Sequence, residues 1–314
     1  MKTIQFTGYG GPEKLRLVDK PIPTPSAQQL QIRVSATSIN PIDWKLHSGM
    51  LRWVKPLRFP STPCFDFAGT ITVTGADVMG WTAGDRVFGM LPINGLGAAA
   101  EYVAVDSHYA CRMPEGLSFE NMAGLPLAGM TALQGLRDQG ELKPGHTLLV
   151  IGAAGGVGHY AVQIGRLLGA QVTTLSGPGN LAFCRELGAE TALDYNQANP
   201  SLAKAGFDVI LDCSGHSPFS RWQHALAPRG RYVALLPSVS VGLAALRLRL
   251  FSSQRIRLTL VRSHQDDLAW LANEVSAGRL KTVIDEVFPL ERLADALKKS
   301  QGGHARGKII VSLS

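Results

Sequence analysis

The sequence predicts an α/β protein: a doubly wound parallel sheet joined to a second, β-rich domain. Three observations predict it. An apolar strand-length run, Leu148 to Ile151, ends in the glycine cluster Gly152-Ala153-Ala154-Gly155-Gly156-Val157-Gly158. Apolar residues then resume at helical spacing (Val162, Ile164, Leu167, Leu168), and a second strand, Gln171 to Leu175, follows. The first 120 residues or so have another texture, with short alternating segments cut by Pro and Gly turns.

In that first region the strand candidates are Ile32–Ala36, Gly69–Val73, Arg86–Gly89 and Glu101–Val105. From about Met122 strands and helices alternate, as a parallel sheet requires. A helix is expected near Gly129–Gln139, then the glycine-turn strand and its helix. Strand Gln171–Leu175, helix Leu181–Leu187, strands Thr191–Leu193 and Phe207–Asp212, a helix near Phe219–Leu226 and strand Arg231–Leu236 continue the series. Helices over Asp266–Ala277 and Leu290–Ser300 precede a closing strand, Lys308–Leu313, expected to rejoin the first domain. The expected division is therefore residues 1–121 with 265–314, and 122–264.

The chain has 314 residues, 45% of them hydrophobic and 18% charged, which is ordinary globular composition with ample core material. Its four cysteines form no C-x-x-C pair and fit buried thiols in a reducing compartment. No secretory h-region is seen, and the longest uncharged stretch, Asn121–Leu136, is too short to span a bilayer, so a cytoplasmic protein without a membrane partner is expected. The net charge of +7 is concentrated between Arg247 and Arg262, where Leu246–Leu250 and Arg255–Leu258 read as strand-like segments with one basic face. No nucleic-acid motif accompanies it, and nucleic acid is not the expected partner.

The glycine turn is the chemically telling motif. A strand, a tight turn and a helix N-terminus bring bare amides together, and these bind a pyrophosphate. Dinucleotide-binding strands that read an unphosphorylated ribose end in an acidic residue about 20 positions past the glycines. Here the second strand ends Thr174-Leu175-Ser176-Gly177 without one. Ser176 can donate to a 2′-phosphate that a carboxylate would repel. NADPH is thus expected over NADH.

An ordered set of motifs carries a resemblance across essentially the whole chain: Ser38-Ile39-Asn40-Pro41-Ile42-Asp43, Phe65-Asp66-Phe67-Ala68-Gly69, Gly84-Asp85-Arg86-Val87, Ala128-Gly129-Met130-Thr131-Ala132, Lys143-Pro144-Gly145, the glycine turn, Leu187-Gly188-Ala189, Asp194-Tyr195 and Gly307-Lys308. Together they resemble the medium-chain dehydrogenase/reductase superfamily, in its zinc-independent quinone oxidoreductase and enone reductase branch. The resemblance implies a GroES-like β-rich catalytic domain built from both chain ends and a Rossmann domain between them. It implies a homodimer that continues the Rossmann sheet, with Arg231–Leu236 as the edge strand.

Zinc-dependent relatives carry a cysteine ligand where this chain has Asn40 and a His-Glu pair where it has Phe65-Asp66. Their four-cysteine lobe corresponds to the cysteine-free Met90–Ala100. Phenylalanine cannot coordinate a metal, so no zinc is expected. Without a Lewis acid an alkoxide is hard to stabilise, whereas a quinone or an α,β-unsaturated carbonyl is already electrophilic.

The resemblance further implies a cofactor site made by Asn40, Thr131, Ala154, Gly155, Gly156, Val157, Ser176, Tyr195, Cys213, Ser214 and Lys308. Thr131 would lie near the nicotinamide amide, and its plainer reading, a hydroxyl at a helix N-terminus, is compatible with that role. Tyr195 would lie near the 2′-phosphate. The family's lysine beside that phosphate is replaced by Asn180, and Arg185 is either its substitute or a solvated helix residue. Asn40, Lys45 and Thr131 are the catalytic candidates, with Lys45 either stabilising an enolate oxygen or a surface lysine beside Asp43. Cys213 is read as a packed thiol rather than a nucleophile, Asp43 as a loop tie, and His159 as exposed. Trp44, Trp53 and Phe65 are wall candidates for a flat substrate, with core packing the plainer reading.

The function expected is hydride transfer from NADPH to a quinone or enone. The alternative is an NADPH-binding protein with a sensing or RNA-binding role and little turnover.

Overall fold

The computed structural model describes residues 1–93, 96–197, 202, 206–215, 219–235, 242, 244, 245, 248 and 252–313. The N-terminal segment contains β1 (Lys2–Phe6), β2 (Leu15–Asp19), β3 (Gln29–Ile39), α1 (Pro41–His47), β4 (Asp66–Thr74), β5 (Arg86–Met90), β6 (Tyr102–Asp106), β7 (Ala110–Arg112) and α2 (Phe119–Ala123). Then come α3 (Pro126–Gln134), β8 (Thr147–Ile151), α4 (Gly158–Leu167), β9 (Gln171–Ser176), α5 (Leu181–Glu186), β10 (Thr191–Asp194), β11 (Phe207–Asp212), β12 (Leu226–Ala234) and β13 (Arg255–Leu258). The chain closes with α6 (Gln265–Ser276), β14 (Ile284–Pro289), α7 (Leu293–Gln301) and β15 (Lys308–Ser312).

Two compact units result. One comprises Met1–Ala128, Ser263–Gly278 and Thr282–Ser314; the other comprises Gly129–Arg262 with Arg279–Lys281. The first holds a seven-stranded sheet in the order β14-β15-β3-β4-β5-β7, with β6 also paired to β3. Strand β3 alternates as a half-buried strand should, with Leu30, Ile32 and Val34 buried and Arg33 exposed. Its register with β4 shifts at Gln31/Ile32 and again at Val34/Ala36. Those bulges let one long strand meet β6 along its first half and β15 along its second. Closing strand β15 therefore joins the N-terminal sheet, as expected. On one side α7 buries Leu293, Ala296 and Leu297 against Ile39, Ile309 and Val311.

The second unit is the Rossmann sheet. Six parallel strands run in the order β10-β9-β8-β11-β12-β13. That is the doubly wound order 3-2-1-4-5-6, whose direction reverses beside β8. The carboxyl ends of β8 and β11, the place where such sheets bind ligands, carry the glycine turn and Cys213-Ser214-Gly215.

Four details depart from the sequence-based expectations. The helix expected over Gly129–Gln139 begins at Pro126 and continues past Gln134 as a π turn, Gly135–Gln139, closed by the Gly140 N–H to Gly135 C=O bond. Instead of one helix near Phe219–Leu226 there are two 3₁₀ turns, Phe219–Arg221 and Gln223–Ala225. Their buried residues Phe219, Trp222 and Ala225 recur every three positions, the period of a 3₁₀ turn rather than an α-helix. Strand β12 starts at Leu226, and Leu236 lies outside the described residues. Most consequentially, β12 is not an edge: β13 pairs with it, Arg231 opposite Arg255 through Ala234 opposite Leu258. A dimer built by extending the sheet from Arg231–Leu236 is therefore excluded. Arg255–Leu258 is a strand as read, but of Leu246–Leu250 only Leu248 is described, and it is buried.

Candidate functional site

In the first unit the candidates converge on a buried polar cluster at the start of α1. Pro41 supplies a pre-set φ at the first helical position. Asp43, one turn in, accepts the Asn40 N–H at 2.7 Å and the Cys64 N–H at 3.0 Å. Cys64 needs such a tether, because its φ of 68° is left-handed and costly for a side chain with a Cβ. Asp43 thus ties two backbone segments together, the loop-tie role read from sequence.

Asp66, at the first position of β4, accepts from Ser38 Oγ at 2.6 Å, Asn40 Nδ2 at 2.8 Å and the Leu127 N–H at 2.8 Å. Lys308 Nζ donates to Asn40 Oδ1 at 2.6 Å and to the Ile39 carbonyl at 3.3 Å, and lies 3.9 Å from the Asp66 carboxylate. All of these side chains are buried; Lys308 is 2% exposed and Asp66 0%. Burial drives the pKa values of the pair toward their neutral forms. Asp66 is raised by desolvation, against the pull of Lys308, and Lys308 is lowered by desolvation, against that of Asp66. Asp43 is pushed up to about 7, by burial first and by the neighbouring Asp66 charge among the further causes.

The cluster reassigns two residues. Lys308, expected to hold the cofactor, points inward and is consumed by Asn40, Ile39 and Asp66. The Asn40 amide directs its Nδ2 donors to Asp66 and, at 3.4 Å, to Ser38. What remains to its side chain is one acceptor lone pair on Oδ1. Lys45 is half-buried on α1; desolvation lowers its pKa, and Nζ sits 5.3 Å from the Trp44 ring centre. Phe65 is fully buried, a core residue.

In the second unit the glycine turn has the anatomy its spacing implies. Gly152 has φ +74°, and a Cβ there would stand 3.2 Å from the Ser214 amide, so the β8 and β11 loops approach each other closely. A Cβ on Gly158 would lie 2.2 Å from the Gly152 carbonyl, which is why α4 can pack on β8 only with glycine here. Gly155, Gly156 and Val157 are partly exposed, and among the described residues the amides of Ala154, Gly156 and Val157 have no protein acceptor. These are the donors an anionic diphosphate needs, so the residues present fit a dinucleotide. His159, expected to be exposed, is buried: its Nδ1 lies 3.1 Å from the Gly155 carbonyl and its ring 3.9 Å from Tyr160. The first two turns of α4 bury every side chain, leaving no solvent face for it.

Ser176 closes β9. Among the described residues its Oγ donates to the Gly177 carbonyl at 3.4 Å and accepts from Cys184 Sγ at 3.5 Å. Tyr195 lies beside it, its N–H on the Ser176 carbonyl and its side chain half exposed. Arg221, which the sequence reading missed, reaches the Tyr195 carbonyl with Nη2 at 3.4 Å and stacks over Trp222. Arg185 is exposed on α5. Thr131 is buried at mid-helix in α3, so it is not a helix-start hydroxyl.

Asp212, also missed, organises the turn at the end of β11. Its Oδ1 accepts from Ser214 N–H, Ser214 Oγ and Gly215 N–H, while Oδ2 accepts from Tyr232 at 2.6 Å. Burial and Asp212 raise the Tyr232 pKa, fixing it as a donor. Burial, reinforced by Asp212, pushes the Cys213 thiol far up, so it is no nucleophile.

A split β-rich unit with a dinucleotide-type sheet inserted in its chain defines the medium-chain dehydrogenase/reductase architecture. Family models agree: residues 26–115 match the alcohol dehydrogenase GroES-like domain and residues 187–311 the zinc-binding dehydrogenase domain. A chloroplast envelope quinone oxidoreductase homolog from Arabidopsis thaliana is 36% identical over 99% of this chain and 98% of its own. The quinone oxidoreductase structure from Coxiella burnetii matches with TM-score 0.91 and 33% identity, covering 100% of this chain and 99% of that one. That of Escherichia coli quinone oxidoreductase complexed with NADPH matches with TM-score 0.88 and 25% identity, over 99% and 100%. The chain belongs to the medium-chain dehydrogenase/reductase superfamily and is an oxidoreductase.

Proposed function

We propose that this protein is a zinc-free, NADPH-dependent reductase of quinones or α,β-unsaturated carbonyls. The observation that carries the reading is the Asn40–Asp66–Lys308 cluster, which stands where zinc-dependent relatives place ligands. A divalent cation there would need deprotonated sulfur, imidazole or free carboxylate donors. The cluster offers an amide, a carboxylate already accepting three hydrogen bonds and an ammonium group, and Cys64 nearby is held as a thiol by burial. This donor set does not fit zinc, despite the description of the matching domain model.

The dinucleotide would be held by Ala154, Gly155, Gly156 and Val157 at its diphosphate and by the Ser214 turn. Ser176, Tyr195 and Arg221 would take the 2′-phosphate, with the Arg221 guanidinium supplying the cation that the sequence lacks at Asn180. Bound NADPH supplies a hydride. Asn40, with an acceptor lone pair left, suits the N–H₂ of a carboxamide rather than a carbonyl oxygen. Lys45 donates to the oxygen of the substrate as negative charge develops on it, and solvent delivers the final proton. The test is NADPH oxidation by purified protein against quinones, enals and enones, repeated with NADH. No measurable turnover with any of them removes the reading in favour of a binding protein.

A further inference from the structure

The turn that follows α1 exposes apolar side chains the chemistry above does not use. Met50 is 63% exposed, and Trp53 and Val54 are each 86% exposed. They sit within five residues on a compact coil: Gly49 adopts φ +84°, the Arg52 N–H bonds the Gly49 carbonyl, and the Val54 and Lys55 N–H groups bond the Leu51 carbonyl. The base is anchored, with Leu57 buried and its N–H donating to Tyr9 Oη at 2.8 Å. Neighbouring tryptophan and valine side chains so bare stand on a projecting turn, not in a groove.

The charge around them is of one sign. From Trp44 to Phe65 the chain has Lys45, Arg52, Lys55 and Arg58 and no Asp or Glu. Arg52, Lys55 and Arg58 are exposed, and among the described residues none is paired with a carboxylate. Arg52 stacks over Trp53 at 5.0 Å, leaving the indole flanked by charge.

We propose that the Met50–Arg58 turn docks this protein on an anionic lipid surface, with Trp53 and Val54 entering the headgroup boundary and Arg52, Lys55 and Arg58 on the phosphates. Tryptophan favours that boundary because its ring is apolar and its N–H polar. Each cation near an anionic leaflet adds attraction, and a projecting tip needs no complementary groove in its partner. The expectation of no membrane partner rested on the lack of a spanning segment, and surface docking requires none. It stands apart from the cofactor assignment, and it uses Trp53, one of the substrate-wall candidates, in another role.

The test is cosedimentation of the full chain with vesicles of phosphatidylcholine containing one-third phosphatidylglycerol, against phosphatidylcholine alone. Binding to the anionic vesicles only is expected, weakening with salt. Trp53→Ala with Val54→Asp, and separately Arg52→Glu with Lys55→Glu, should each lower partitioning by about tenfold or more. Circular dichroism checks that the variants fold. Absence of binding at low salt overturns the proposal. Binding unchanged in both variants also overturns it, since that is adsorption of a +7 protein at large. Conversion of a dimer into a monomer by the Trp53/Val54 variant would assign the patch to a second copy and equally refute it.

Discussion

Replacing Lys308 by Met removes an ammonium group from beside Asp66 while its thioether stem keeps most of the packing. The variant loses a charged hydrogen bond of 2.6 Å to Asn40, worth about 1.5–3 kcal/mol. It also strips the Asp66 carboxylate of its counter-charge 3.9 Å away, an attraction of about 4 kcal/mol at an effective dielectric near 20. Relief of the lysine's own desolvation offsets several kcal/mol of this. The net expectation is a loss of about 3 kcal/mol, within the range for breaking one side of a buried pair. Urea unfolding followed by circular dichroism measures it, read on the transition of the unit holding β3, β4 and β15. The double variant Asp66→Asn/Lys308→Met should be less destabilised than the sum of the singles by about 1–3 kcal/mol. A loss below about 1 kcal/mol for Lys308→Met, or strict additivity, would refute the coupled cluster.

Three further outcomes are expected. Asp43 is raised from 3.8 to about 7 in the folded protein, so the fold binds its proton more tightly than the unfolded chain does; stability from this group is complete below the ordinary carboxylate range and declines as pH rises toward 7, and Asp43→Asn should flatten that slope in unfolding curves taken from pH 4 to 7. Arg221→Ala should raise KM for NADPH about tenfold with little change for NADH, and Arg221→Lys should restore part of it, whereas equal effects on both coenzymes would remove Arg221 from the 2′-phosphate. Gly158→Ala puts a methyl 2.2 Å from the Gly152 carbonyl, so it should cost about 2–3 kcal/mol and abolish the heat of NADPH binding in calorimetry.

The parts of this molecule legible in its sequence were those decided locally. The glycine turn could be read because β8, the turn and α4 are contiguous and each glycine has a nearby steric reason, Gly158 against Gly152 being the tightest. Strand β13 was recognisable as a strand, but its pairing with β12 was not, since four residues carry no record of their partner. The buried burial state of His159 follows from packing on both sides of α4, which a lone histidine after a glycine does not announce. Asn40, Asp66 and Lys308 were each singled out in separate motifs. Their mutual hydrogen bonds join residues 26 and 268 positions apart and turn Lys308 inward, so a family role assigned by position missed it. Arg221 meets Tyr195 across 26 positions with strand β11 between them, and no spacing rule links the two. Asp212 could have been found: an acid ending an apolar strand just before Cys-Ser-Gly is a signal for a carboxylate that caps a turn.

The central claim is hydride transfer from NADPH at a site that has no metal in it. Its most direct measurement is the rate of NADPH oxidation by a quinone with chelator-treated protein whose zinc content is determined in the same sample. Full turnover at a zinc content far below one per chain is the expected result. A rate that vanishes on chelation and returns with added zinc would contradict the account.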